Sequence, residues 1–209
     1  MANSTLMTNI RRAAWAVVAL VLAGWGLHAL VGQDLLRRKD GSLLGSVKIG
    51  APFRLTTQTG RPFDSAELKG SPYVLFFGFT QCPDVCPTTL LEMTQHLQAL
   101  GADADKLKVL FVTVDPERDT IQLLKDYLSA FDSRIIGLTG TPAEIAAVAG
   151  SYRAYYERVP TKDGYTMNHA ASVYMMDGDG QFAGTFNFQE KSEIQRDKLR
   201  RLLGAKASQ

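Results

Sequence analysis

The strongest constraint on the fold is an apolar, aromatic run at residues 73–79 that ends just before the chain's only two cysteines. A run of this length and composition suits a fully buried strand and is too short for an ordinary helix. The stretch Gly78-Phe79-Thr80-Gln81-Cys82-Pro83-Asp84-Val85-Cys86-Pro87 therefore leaves the C-terminal end of a strand. Pro87 fits the first position of a helix carrying Leu90, Leu91, Met93, Leu97 and Leu100, with Gly101 as its stop. Both thiols are expected at that helix N-terminus. There, free N–H groups and the positive end of the helix dipole favour a thiolate and lower a thiol pKa from its ordinary ~8.5. Three residues separate the cysteines, one more than in the C-x-x-C redox motif, and prolines stand on both sides. Such a loop brings the sulfurs together either as a reversible disulfide or as two soft ligands for one ion.

The rest of the chain reads as support for this pair. Residues 52–57 and a strand beginning near Phe63 are expected to form an N-terminal hairpin, and residues 64–69 a short helical turn. A second buried strand at 109–114 ends at Asp115-Pro116. Asp119 is expected to cap a helix with Gln122 as its capping-box partner and Ile121, Leu124, Leu128 and Phe131 on one face. A short strand at 135–138 follows, then Thr141-Pro142-Ala143-Glu144 opens another helix with a capping box and Pro at its first position. Residues 153–165 read as a loop or irregular hairpin. Two strands flank Asp177-Gly178-Asp179-Gly180 as a hairpin, and Ser192 with Gln195 is expected to cap a last amphipathic helix. Strands alternating with helices imply a parallel sheet, so the fold class is α/β, in the element order of the thioredoxin fold with an N-terminal hairpin added.

The first forty residues differ in kind. Residues 13–32 contain no Asp, Glu, Lys or Arg, and their length is about the 20 residues that cross a bilayer. They are expected to form one transmembrane helix, preceded by a short tail (1–12), followed by a tether (33–49) and then the folded domain (50–209). His28, near one end of the span, reads as interfacial. The apolar run exceeds the ~7–15 residues of a secretory signal core and lacks a small-residue cleavage site, so the reading is a retained anchor. A formal charge of +2 without a long basic run gives no footprint for nucleic acid.

In α/β sheets functional groups collect beyond the C-terminal ends of parallel strands. Cys82 and Cys86 follow one such end and Asp115 another. If the strand starting near Ala171 runs antiparallel beside them, the residue before it reaches the same edge, and His169 stands in that segment. Two thiolates and an imidazole suit copper(I) and can hold copper(II), whereas a structural zinc site ordinarily has four protein ligands. The residues alone leave open a plain disulfide, a redox-active Cys82–Cys86 pair and a metal site of Cys82, Cys86 and His169. His96 is expected to pack or face solvent. Met175 and Met176, consecutive in a strand, point to opposite faces, so at most one can approach the site.

The cysteine block, Val114-Asp115-Pro116-Glu117-Arg118-Asp119-Thr120, and His169 before a strand together resemble the SCO/SenC family over about residues 50–203. The resemblance implies a membrane-tethered, thioredoxin-like copper protein of cytochrome c oxidase assembly, with Cys82, Cys86 and His169 as ligands. Asp84, Asp115 and Asn168 are expected to stand around those ligands, Asn168 occupying the place of the family's usual Asp. Implied partners are the copper-bearing oxidase subunit and other copper chaperones. The first function is a metallochaperone. The alternatives are a thiol-disulfide oxidoreductase acting on the target's cysteines and a thiol peroxidase. With about a dozen residues ahead of the span, a bacterial inner membrane is expected over a mitochondrial one, with the domain in the periplasm.

Overall fold

The computed structural model describes residues 12, 15–26 and 48–204. The chain divides into two units, Met1–Val47 and Lys48–Gln209. In the first, residues 15–26 are helical. The expected span 13–32 extends on both sides into residues that are not described, His28 among them, as do most of the tail and the tether. Among the described residues no helix is long and apolar enough to cross a membrane.

In the second unit the chain forms β1 (Arg54–Thr57) and β2 (Pro62–Asp64), then a 3-10 turn at Ser65–Leu68 capped by the Asp64 carboxylate. There follow β3 (Tyr73–Gly78), α1 (Val85–Leu100), β4 (Lys108–Thr113), α2 (Ile121–Leu128), β5 (Ile135–Thr139) and α3 (Pro142–Ser151). The remainder is β6 (Tyr156–Thr161), β7 (Gly164–His169), β8 (Ser172–Met176), β9 (Phe182–Asn187) and α4 (Ser192–Leu202). A seven-stranded sheet has the order β2-β1-β5-β4-β3-β8-β9, with β3, β4 and β5 parallel and the outer strands antiparallel to their neighbours. The expected N-terminal hairpin is β1–β2, paired through Leu55 and Phe63.

Alternation along the central strands divides the core. Leu75, Phe77, Leu110 and Val112 pack on one face with the hairpin, α3 and Tyr152. Val74, Phe76, Val109 and Phe111 pack on the other with α1, α2 and α4. Each large side chain so buried contributes about 1.5–3 kcal/mol of transfer free energy, which accounts for the near-continuous apolar runs in strands covered on both sides. The hydroxyls of Tyr73 and Tyr152 lie 2.9 Å apart and satisfy each other inside the first cluster.

Several local expectations change. The helix after the cysteines starts at Val85, two residues earlier than expected, so Cys86 and Pro87 both lie in its first turn. Proline is tolerated there because first-turn N–H groups have no intrahelical acceptor. Thr120, not Asp119, caps α2, accepting from Leu123 N, while Gln122 bonds Asp126. At α4, Lys191 precedes the first helical residue and no side chain caps. Gln195 instead turns inward, where its amide donates to the carbonyls of Asn187 and Glu190 and its oxygen meets His96 Nε2 at 2.6 Å. The Thr141–Glu144 capping box is present in full.

Residues 156–169, read in part as irregular, form a regular antiparallel ribbon, β6–β7, which is a sheet of its own. Its register pairs Tyr156 with His169 and Thr161 with Gly164.

Gly137 on β5 lies beneath α2, and a Cβ added there would stand 2.3 Å from Leu128 Cδ1. Gly137→Ala is therefore expected to lower unfolding free energy by about 1–3 kcal/mol through overpacking. Urea denaturation followed by circular dichroism measures this.

Candidate metal centre

The parallel register of β3 and β4 aligns Gly78 with Thr113, so the two strands end together. Val114 N then donates to Gly78 O at 2.8 Å. The chain leaving β3 is held by Asp119, whose buried carboxylate accepts from Thr80 N (3.0 Å), Thr80 Oγ1 (2.6 Å) and Thr113 Oγ1 (2.6 Å). Burial raises the Asp119 pKa, against the pull of these three bonds. This carboxylate, read from sequence as a helix cap, fixes the cysteine loop to the end of β4.

From that loop Cys82, half-buried, and Cys86, buried, turn their sulfurs toward one another. Both thiols are free. Cys82 Sγ accepts from Cys86 N at 3.4 Å, and the Asp84 side chain makes no capping bond, so the sulfur takes an acceptor's place at the N-terminus of α1. Cys86 Sγ packs where Gly78 has no side chain, since a Cβ there would lie 2.7 Å from the sulfur. Glycine is what lets the second sulfur sit against the strand end.

The thiols are electrostatically unequal. The Cys82 thiol is held well below the usual range, chiefly by the hydrogen bond from Cys86 and further by His169 and the backbone N–H groups of Cys86 and Asp84, against the effect of burial. Cys86 is pushed up because it is the donor to Cys82 and because it is buried. Of the two, Cys82 is thus the sulfur that ionises first and Cys86 the one that keeps its proton longer.

His169, the last residue of β7, completes the group. Its Nε2 lies 3.3 Å from Cys86 Sγ and 3.9 Å from Cys82 Sγ. Nδ1 lies 3.1 Å from the carbonyl of Ala170, so a proton on Nδ1 has an acceptor there and Nε2 is the ring nitrogen that faces the sulfurs. The ring also meets Phe79 edge-on at 5.8 Å. Among the described residues, Cys82, Cys86 and His169 form a group able to hold a metal ion, their ligand atoms all within 4.8 Å of one another.

The other residues singled out in the sequence lie at varied distances from this chemistry. Asp84 is exposed and touches Cys82 only through its backbone N–H. Asp115 is buried and bonds Arg118 Nε and Tyr165 Oη, the latter at 2.9 Å. Asn168 is exposed and, by strand alternation, on the opposite side of β7 from His169. His96 is buried against Gln195, and burial lowers its pKa. Met175 and Met176 pair with Val74 and Tyr73, at the far end of β3 from the cysteines. Gly78, Asp119 and Tyr165 were not assigned to the site from sequence. For Tyr165 a signal exists, because Tyr165, Met167 and His169 alternate along β7.

Fold and site define a thioredoxin-like α/β domain carrying a soft-ligand group suited to a transition metal. The SCO1/SenC family profile matches residues 42–204. Protein SCO2, mitochondrial, from Saccharomyces cerevisiae is 37% identical over 194 residues, which span 87% of this chain and 64% of that protein. The chain thus covers just under two thirds of the yeast protein. The structure of Bradyrhizobium japonicum ScoI with copper bound is 52% identical, covers 74% of this chain and 99% of its own, and superposes with a TM-score of 0.69. BsSco, described as a Sco-family cytochrome c oxidase assembly protein with a disulfide switch, is 26% identical over 76% of this chain and 95% of its own, with a TM-score of 0.62. This chain belongs to the SCO1/SenC family.

The unequal thiols give a direct expectation. In the reduced, metal-free protein, iodoacetamide should modify Cys82 before Cys86, and the Cys82 rate should stay nearly flat from pH 8 to pH 5. An ordinary thiol slows by about tenfold per unit below its pKa of ~8.5. Peptide mass spectrometry after timed quenching reads both sites.

Proposed function

We propose that this chain is a copper metallochaperone, binding copper through Cys82, Cys86 and His169 and delivering it to the dinuclear copper centre of cytochrome c oxidase. The observation that carries the reading is the convergence of two sulfurs and His169 Nε2 within 4.8 Å, with Nδ1 turned to a backbone carbonyl. Two soft thiolates with one borderline nitrogen suit copper(I) and can also hold copper(II). Three protein ligands leave one side of the ion open to a recipient's thiolate. Copper(I) is then cargo, passed on by ligand exchange with no change of oxidation state.

The protein's own groups set the terms of loading. Cys82 is the readier ligand, whereas Cys86, its pKa raised, gives up its proton as the metal binds. Departure of the metal returns that proton to the buried sulfur. The membrane helix at 13–32, the tether at 33–49 and the domain at 50–209 complete the reading, with the domain in a bacterial periplasm and copper arriving from other copper chaperones.

A second reading has its own support in the same asymmetry. A half-buried low-pKa thiol beside a buried thiol of raised pKa is the arrangement of a thiol-disulfide reductase. Cys82 would attack a target disulfide, and Cys86 would release the mixed disulfide as it forms Cys82–Cys86. The target gains two electrons and the pair loses them. Both roles meet on one partner if its cysteines must be reduced before they take copper.

His169→Ala should weaken copper(I) affinity at least tenfold, measured by chelator competition on the reduced protein, while leaving the Cys82–Cys86 disulfide able to form. Unchanged affinity in that variant would remove the imidazole from the ligand set.

A further inference from the structure

His169 is carried on a ribbon that is not part of the seven-stranded sheet. An isolated two-stranded hairpin is at best marginally stable in water, so the position of its last residue depends on how the ribbon is fastened. Alternation along β7 turns Tyr165, Met167 and His169 to the same side. Met167 is buried among core residues that include Cys86, and His169 faces the sulfurs. Tyr165 is where the ribbon meets the loop after β4. Its hydroxyl donates to the buried Asp115 carboxylate at 2.9 Å, and its carbonyl accepts from Arg118 Nη1 at 2.8 Å. Arg118 Nε bonds Asp115 in turn. The guanidinium carbons of Arg118 and Arg158 lie 3.8 Å and 4.1 Å from the Tyr165 ring centre, and Arg158 pairs with Glu117.

We propose that Asp115, Arg118 and Tyr165 form a latch that positions His169 over the cysteines, and that opening it withdraws the imidazole and leaves a two-coordinate dithiolate. This rests on the ligand set proposed above. The side-chain bonds of the latch run from the β4 loop to the ribbon. A different side chain of the same loop, Asp119, holds the cysteine loop, and the two are joined where Asp119 N donates to Asp115 O and Asp115 N donates to Thr113 Oγ1. The Arg158–Glu117 pair is exposed at both ends and adds little. The part-buried Tyr165–Asp115 bond, with the forked contacts of Arg118, therefore carries most of the fastening. The latch is also less than fully satisfied when closed. Arg118 Nη2 is buried with no hydrogen-bond partner among the described residues, and opening would return it to water. A closed state with one unmet donor can be released by a partner that displaces the ribbon, and copper then sits on two sulfurs, easier to exchange than on three ligands.

Tyr165→Phe tests this, because it keeps the ring under both guanidinium groups and removes only the hydroxyl. Copper(I) affinity of the full-length reduced protein is measured by chelator competition for the unsubstituted protein, Tyr165→Phe, His169→Ala and the double variant. The latch predicts a 10- to 100-fold loss for Tyr165→Phe and no further loss when it is added to His169→Ala. It also predicts faster hydrogen exchange at the amides of residues 167–170. Arg118→Lys, which keeps the charge but loses the fork, should move the same quantities in the same direction. Full affinity in Tyr165→Phe, or a loss that adds to that of His169→Ala, overturns the latch. If His169→Ala alone keeps full affinity, the ligand set has failed instead. Exchange at 167–170 then decides the latch, and unchanged exchange overturns it.

Discussion

A two-stranded ribbon has no core of its own, so the imidazole at its end can be placed only by what the ribbon is fastened to. This constraint organises the functional end of the molecule. The cysteines need no such arrangement, because they follow directly from a buried parallel strand and enter a helix whose N-terminus favours sulfur as an anion. The nitrogen comes from a different sheet and arrives through contacts between the β4 loop, β7 and the core. A site assembled this way has a rigid half and an adjustable half.

The rigid half is asymmetric by construction. Gly78 gives Cys86 room against the strand end, and burial there keeps its proton on. Cys82 lies four residues earlier, in the loop before the helix, where the Cys86 thiol and backbone N–H groups favour the anion. One charged and one neutral sulfur side by side repel less than two thiolates; a bound cation displaces the remaining thiol proton, and oxidation to the disulfide takes two electrons and that proton from the pair. Dithiol redox chemistry and soft-metal binding are thus two uses of the same electrostatic arrangement.

Much of this was legible in the sequence, for identifiable reasons. The central strands are covered on both faces and so read as continuous apolar runs, which gave their order and the strand-end position of the cysteines. His169 could be placed because an antiparallel neighbour of β3 must begin where β3 ends. The ribbon was harder to see. β6 carries Glu157, Arg158 and Pro160 and is exposed on much of both sides, so it lacks the alternation that marks a half-buried strand. Asp119 was misread because an acidic residue before a helix is ordinarily a cap. Its turn inward depends on Thr80 and Thr113, which lie on other elements. Asn168 is placed near the ligands by the family resemblance alone, whereas strand geometry turns it to the opposite side of β7 from His169.

The central claim is that two sulfurs and one nitrogen of this chain hold a single copper ion. X-ray absorption at the copper edge, on the reduced protein loaded with one equivalent of copper(I), tests it most directly. The account predicts a coordination shell of two sulfurs and one imidazole nitrogen. A shell of sulfur alone would contradict it, because His169 would then stand beside the metal without binding it.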